Sequence, residues 1–251
     1  MRKILKYFYN LKETSFVPPK IQCHRGFWVG GLVQNSLASL QKAYELGYKM
    51  SEFDIRITKD LEVILFHDDF IGSNKVSNMT LAEVNAHHKV DTFEEALKWF
   101  SKLEPKSYYL NIEVKSKFVR NRKLEAKVLE LILKYKVQSR VLISSFNPMS
   151  LAFFRKNQPA ITRALLLTYN DEHGNNFVVK SQVLNMLAQP HFLHLDEKYW
   201  SQKRYKNLLK WGVPIVLWTC NDLEKVKKYI SQGVFGVISD SLKPHDLDFL
   251  D

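Results

Sequence analysis

Residues 108–167 read YYLNIEVKSKFVRNRKLEAKVLELILKYKVQSRVLISSFNPMSLAFFRKNQPAITRALLL. Three short apolar runs, Tyr108–Val114, Val141–Ser144 and Thr162–Leu167, alternate with two stretches whose apolar residues recur at helical spacing, Arg122–Lys136 and Met149–Lys156. Strands separated by helices of this length return parallel, because an antiparallel return needs only a tight turn.

The pattern extends both ways. Upstream, Ile21–His24 reads as a strand, and Leu37 to about Leu46 as a helix opened by Asn35 or Ser36 and stopped by Gly47. Met50–Thr58 alternates as a strand, Lys59–Glu62 turns, and Val63–Phe66 returns antiparallel after so short a connection. Thr80 and Thr92 each stand three residues before a glutamate, the capping-box spacing of a helix start; the second helix runs to about Phe100. Downstream come a helix over Lys180–Ala188, a strand over His191–Leu195 and a helix over Gln202–Trp211. A strand over Pro214–Thr219, a helix over Leu223–Ser231 and a strand over Phe235–Ser239 complete the series. With the returning arm set aside, about eight strands remain, which predicts an α/β fold of the (β/α)8 TIM-barrel type. The first strand is not followed by the Gly-x-Gly-x-x-Gly turn of a dinucleotide-binding open sheet. Pro18-Pro19 separates a tail, residues 1–19, from a single barrel domain over 20–251.

The chain of 251 residues is 45% hydrophobic and has only 9 glycines, which excludes a disordered or low-complexity protein. Its two cysteines, Cys23 and Cys220, lie in apolar runs, as buried thiols of a reducing compartment do. A net charge of +11 favours anionic partners, or is simply a solvated basic surface. The lysines are spread along helices, not gathered in a basic arm, which argues against nucleic acid. No apolar stretch approaches the roughly 20 residues of a membrane span. The basic, aromatic segment Met1–Phe16 could lie on a membrane surface as an amphipathic helix, or cap one end of the domain. A cytoplasmic enzyme, with peripheral membrane contact through residues 1–16 as an option, is the expectation; the oligomeric state is not legible.

Active sites of such barrels sit at the C-terminal ends of the strands. Glu52 and Asp54 are two residues apart in a strand and share a face, and so do Asn111, Glu113 and Lys115; the residues between are apolar. The charged side chains should therefore face the barrel mouth. Three carboxylates together repel unless a cation joins them, and all-oxygen ligation suits Ca2+ or Mg2+. Ion pairs with Lys115 and Arg25 are the alternative. His24 and His67 could divide acid and base work, and Arg25 and Lys115 could clamp a phosphoryl group. The other histidines, His87, His88, His173, His191, His194 and His245, read as structural.

His24-Arg25-Gly26, Gln34-Asn35-Ser36, Glu52-Phe53-Asp54-Ile55, Thr58-Lys59-Asp60-Leu61, His67-Asp68, Glu113-Val114-Lys115, Ser144-Ser145-Phe146, Trp218-Thr219-Cys220-Asn221 and Ser239-Asp240 follow in order from Ile21 to Asp240. In this series the chain resembles the glycerophosphodiester phosphodiesterases. The resemblance implies a barrel with an insertion after its second strand, here about 56–105. It implies a metal on Glu52, Asp54 and Glu113, an acid/base pair of His24 and His67, and phosphate held by Arg25 and Lys115. Trp218 and Phe146 would line the substrate groove, with Gln34, Asn35 and Asp68 supporting the inner residues. The implied reaction converts a small-molecule glycerophosphodiester to glycerol 3-phosphate and an alcohol. The chain departs from the pattern at Gln34, where the family has glutamate, at Leu61, where it has a turn glycine, and over Asp69–Asn78, which lacks the usual Arg-Thr-Thr. Two rival functions are a lysophospholipase D, suggested by Met1–Phe16 and Phe27-Trp28, and a non-catalytic barrel that binds phosphorylated ligands or a membrane surface.

Overall fold

The computed structural model describes residues 5–11, 14–104, 106–116, 121–168 and 183–250. Eight parallel strands close on themselves: β1 (Ile21–Cys23), β2 (Met50–Ile57), β6 (Tyr109–Val114), β7 (Val141–Ser145), β8 (Thr162–Leu167), β9 (Phe192–Asp196), β10 (Ile215–Trp218) and β11 (Gly236–Ser239), with β11 returning to β1. The expected (β/α)8 TIM barrel is therefore the fold. Helices α1 (Leu37–Glu45), α2 (Leu81–His87), α3 (Phe93–Phe100), α4 (Lys123–Lys134), α5 (Pro148–Asn157), α6 (Asn185–Ala188), α7 (Lys203–Lys210) and α8 (Leu223–Ser231) run between them. Of the helix expected over 180–188, the structure forms Asn185–Ala188, and residues 180–182 lie outside the described residues.

The expected hairpin forms: β3 (Val63–Leu65) pairs antiparallel with the end of β2, Ile55 opposite Leu65. A two-stranded ribbon, β4 (Phe70–Ile71) and β5 (Asn74–Lys75), follows. Ser36, Thr80 and Thr92 each cap their helix with a reciprocal capping box, the first completed by Ser39 and the others by Glu83 and Glu95. Phe93, Ala96, Leu97 and Phe100 of α3 are buried in the main core. Of the segment 56–105, the part outside the βα repeat is thus the stretch between β2 and α3.

Strand parity divides the core into two shells. Cys23, Phe53, Ile55, Ile112 and Val114 face outward and pack with Leu40, Ala43, Val128 and Leu151 of the helices. Burying each large aliphatic or phenyl group contributes roughly 1.5–3 kcal/mol. Inside the barrel, Met50, Leu142, Ala164, Phe192, Val216 and Ile238 form a second cluster at the N-terminal ends of the strands. Phe16 joins this cluster and stacks on Tyr109 with ring centroids 4.1 Å apart, so residues before β1 close the barrel bottom. Leu5 and Tyr9 are buried as well, and the Asn10 N–H donates to Pro190 O at 3.0 Å. This end lies opposite the mouth.

Above that plug the interior becomes polar. Asn111 donates to Gln22 Oε1 at 2.9 Å and accepts from Ser144 Oγ at 2.8 Å. His194 is wholly buried on the same inward parity as Phe192, and burial drives its pKa down to about 3. The polar floor ends where the carboxylates begin.

Candidate active site

At the end of β1 the chain turns sharply. Arg25 and Gly26 both have positive φ, 54° and 70°. A Cβ on Gly26 would fall 2.4 Å from Ser39 Oγ and 2.6 Å from the Ser39 carbonyl carbon, so only glycine fits. The Ser39 hydroxyl lies there because it completes the α1 capping box and bonds the Arg25 carbonyl at 3.0 Å. The start of α1 therefore fixes the turn that aims His24 and Arg25.

β2 contributes Glu52 and Asp54, and β6 contributes Glu113 in register with Asp54. All three are buried, and one oxygen from each lies within 4.8 Å of the others. Lys115 Nζ stands 2.7 Å from Glu113 Oε1 and 3.0 Å from Asp54 Oδ1. Arg25 Nε is 3.3 Å from Asp54 Oδ2, and the Arg25 backbone N–H donates to Glu52 Oε2 at 3.1 Å. The alternative ion pairs are thus present, and among the described residues Lys115 and Arg25 are the two lysine or arginine side chains within 4 Å of the three carboxylates. The consequence shows in the titration of the cluster. Burial and then the charges of Asp54 and Glu113 push Glu52 well above the usual carboxylate range. Glu113 is raised to about 7 by burial, although Lys115 opposes it. Burial raises Asp54 too, but the charges of Lys115, His67 and Arg25 outweigh it and hold Asp54 low. A further cation would relieve Glu52 and Glu113, and three carboxylates form an oxygen-only donor set that suits a hard divalent ion. The residues therefore fit such a metal.

The histidines flank this cluster. His24 Nδ1 is 2.7 Å from Asp240 Oδ1, and His24 Nε2 is 3.8 Å from Glu52 Oε2. Asp240 also accepts from Asn221 Nδ2 at 2.9 Å, and the Asn221 side-chain oxygen accepts from Ser239 Oγ and the Asp240 N–H. His67 Nδ1 is 2.7 Å from Asp68 Oδ1. Arg56 donates to the His67 carbonyl at 2.8 Å through Nε and at 2.6 Å through Nη2, and pairs with Asp69. Burial first, then Lys115, lowers the His67 pKa to about 4. In each neutral imidazole, a proton shared with the carboxylate at Nδ1 leaves Nε2 as the nitrogen available to a reacting group.

Gln34 Oε1 accepts from Arg25 Nη1 at 2.8 Å, so the amide keeps the acceptor that the family's glutamate would offer. Asn35, at φ 52°, donates to Asp54 Oδ2 at 3.0 Å and accepts from the Asp54 N–H at 2.9 Å. Phe146 and Trp218 meet edge to face, centroids 5.7 Å apart, with Lys115 Nζ 5.8 Å from the Phe146 ring centre.

The model of the "Glycerophosphoryl diester phosphodiesterase family" matches residues 24–243. The chain belongs to that family. This enzyme is 26% identical to a glycerophosphodiester phosphodiesterase of Caldanaerobacter subterraneus subsp. tengcongensis over 224 residues, 82% of this chain and 88% of the relative. It is 24% identical to human lysophospholipase D GDPD1, with 94% of this chain and 88% of the relative covered. Its fold superposes with a TM-score of 0.75 on the structure of an Oleispira antarctica phosphodiesterase in complex with the product sn-glycerol-3-phosphate, at 22% identity, covering 91% of this chain and 96% of that one.

Three residues around the site carry no role in the sequence pattern alone: Asp240, Asn221 and Arg56. The first two stood within quoted motifs. The signal for Asp240 was its place one residue beyond β11, on the inward parity of Ile238. Arg56 shares the parity of Glu52 and Asp54, which is the signal that could have found it.

Proposed function

We propose that this enzyme hydrolyses glycerophosphodiesters to glycerol 3-phosphate and an alcohol, with His24 and His67 as the acid/base pair. The observation that carries the reading is the three-carboxylate cluster flanked by two histidines, each held at Nδ1 by its own carboxylate. Glu52, Asp54 and Glu113 would hold a divalent ion, Ca2+ or Mg2+, which when bound supplies a Lewis acid for the phosphoryl oxygens. Arg25 and Lys115 balance the charge that develops on the phosphate. One histidine takes a proton from the nucleophile, either water or the substrate's own neighbouring hydroxyl with water then opening the cyclic phosphate, and the other returns one to the departing alkoxide. Trp218 and Phe146 form an aromatic wall for the substrate's arm.

The test is hydrolysis of glycerophosphocholine and glycerophosphoglycerol by wild type, His24→Ala and His67→Ala. Each substitution should lower turnover by about 10²–10⁴-fold with the fold intact. Near wild-type turnover in either variant would remove that histidine from the mechanism.

A second reading, lysophospholipase D activity, draws on a cavity of about 610 Å³ beside His67 and Gln34, walled partly by Leu32, Val33, Phe66, Ile71 and Val90. An acyl chain on the glycerol would find apolar contact there. Lysophosphatidylcholine hydrolysed faster than glycerophosphocholine would favour it. Membrane contact through residues 1–16 would draw on exposed side chains such as Tyr7 and Leu11, at the end of the barrel opposite the mouth, and so is separate from this reading.

A further inference from the structure

The two histidines of the site reach it from unlike frames. His24 directly follows β1, and the barrel holds its backbone on both flanks: its N–H donates to Ser239 O at 2.9 Å, and the Gly26 N–H donates to Glu52 O at 3.2 Å. His67 lies beyond the sheet. β3 ends at Leu65, opposite Ile55, and the final bond onto β2 runs from the Phe66 N–H to Asp54 O at 3.0 Å. Among the described residues, no backbone N–H donates to the His67 carbonyl. The carboxylate partner of the ring does not fix it either, because Asp68 is the adjacent residue and its side chain is 71% exposed.

Arg56 takes the place of the missing strand. Its Nε and Nη2 both donate to the His67 carbonyl, at 2.8 and 2.6 Å, and its Nη1 pairs with Asp69. Two N–H groups of one rigid fork on a single oxygen hold that oxygen in the guanidinium plane, which an ammonium on a flexible stem cannot do. The clamp is anchored at each end. Arg56 is in register with Ile64 inside the β2–β3 ladder, and the Asp69 carbonyl accepts from the Val76 N–H at 2.9 Å, beside the β4–β5 ribbon. Both paired side chains are largely buried, so solvent and salt screen them little.

We propose that Arg56 is a positioning residue: it holds the peptide of His67 so that the imidazole faces the carboxylate cluster, and it acts on turnover only through that ring. The inference rests on the acid/base role given to His67 above. Rival roles for a cation at this place are direct contact with the phosphate and a general electrostatic effect on the cluster. Either of those would persist without the imidazole.

The test is a double-mutant cycle, with kcat and KM for glycerophosphoglycerol measured in wild type, Arg56→Met, His67→Ala and the variant carrying both. Arg56→Met keeps an unbranched stem and removes the fork. A ring misplaced by an ångström should lower kcat by about 10–10²-fold, with KM within about twofold of wild type. In the His67→Ala background the same substitution should cost less than about twofold, since the group it positions is gone. Equal losses in both backgrounds, or a loss carried by KM, overturn the positioning role and leave the phosphodiesterase reading standing. Near wild-type turnover in His67→Ala removes that histidine from the mechanism, and Arg56 with it. Arg56→Lys is the second variant, retaining the charge without the fork: kcat at least about threefold below wild type supports the clamp, and wild-type kcat overturns it. The ring signals of His67 in the proton–carbon NMR spectrum, assigned by their loss in His67→Ala, give a readout free of activity. In both Arg56 variants these signals should shift or broaden while those of His24 stay in place. Unmoved His67 signals overturn the clamp.

Discussion

Replacing Asp240 by Asn should disable His24 through its tautomer. The carboxylate accepts on both sides, from His24 Nδ1 at 2.7 Å and from Asn221 Nδ2 at 2.9 Å. Asn221 cannot turn over, because its oxygen is held by Ser239 Oγ at 2.9 Å and by the backbone N–H of residue 240 at 2.8 Å. The introduced carboxamide must therefore point its oxygen at Asn221 and its NH2 at His24. Nδ1 of the ring then becomes an acceptor, the proton moves to Nε2, and the nitrogen facing the site loses its lone pair. An error of this kind at a catalytic histidine costs about 10²–10⁴ in turnover, or roughly 3–5.5 kcal/mol of barrier. Initial rates at saturating glycerophosphodiester give kcat directly, and KM should change far less. Combining Asp240→Asn with Asn221→Asp restores the donor and acceptor order, since the new carboxylate accepts from the carboxamide NH2 while its oxygen again faces Nδ1. That double variant should recover a substantial part of the loss. A folded Asp240→Asn enzyme with kcat within about threefold of wild type would refute the tautomer argument, the expected loss being orders of magnitude. A double variant no better than the single would refute the account of Asn221.

Gly26→Ala combines a positive φ with contact against Ser39 backbone, so it should destabilise by about 2–5 kcal/mol and lower Tm by several degrees in calorimetry; an unchanged Tm would mean that the turn has room. Chelation should abolish hydrolysis, and calcium or magnesium should restore it; activity that persists after exhaustive chelation would count against a metal on Glu52, Asp54 and Glu113. His191 accepts the Arg163 N–H through Nδ1, and burial with the Arg163 charge lowers its pKa to about 4. The folded state thus keeps this ring neutral, so its stabilisation is complete above about pH 6.5 and is lost as pH falls towards 4, roughly 3 kcal/mol in all. Tm measured from pH 7 to 4.5 should fall less steeply in His191→Asn, and an identical slope would exclude this group as a cause.

The barrel was legible because each unit repeats one physical signal. Apolar runs such as Val141–Ser145 cannot face water on either side, and intervening helices such as α4 bury one stripe, with Leu124, Val128 and Leu131 inward. Alternation also gave the orientation of Glu52, Asp54 and Glu113, since Phe53 and Ile112 had to go to the helices. What alternation does not carry is which groups meet across the barrel. Asp240 reaches His24 only because β11 closes against β1, a contact separated by 216 residues. Arg56 reads as one more inward cation until the hairpin folds back and brings the His67 carbonyl to it. The balance of charge escaped the sequence for the same reason. Lys115 and Arg25 were visible both as phosphate clamps and as partners for the carboxylates, and the structure places them against Asp54 and, for Lys115, Glu113 as well. The pairing follows from crowding: three buried acids meet at one mouth, Lys115 and Arg25 hold Asp54 low, and burial raises Glu52 and Glu113. An incoming cation would release part of the hold on Lys115 and Arg25, and in the proposed mechanism that frees both side chains for the phosphate.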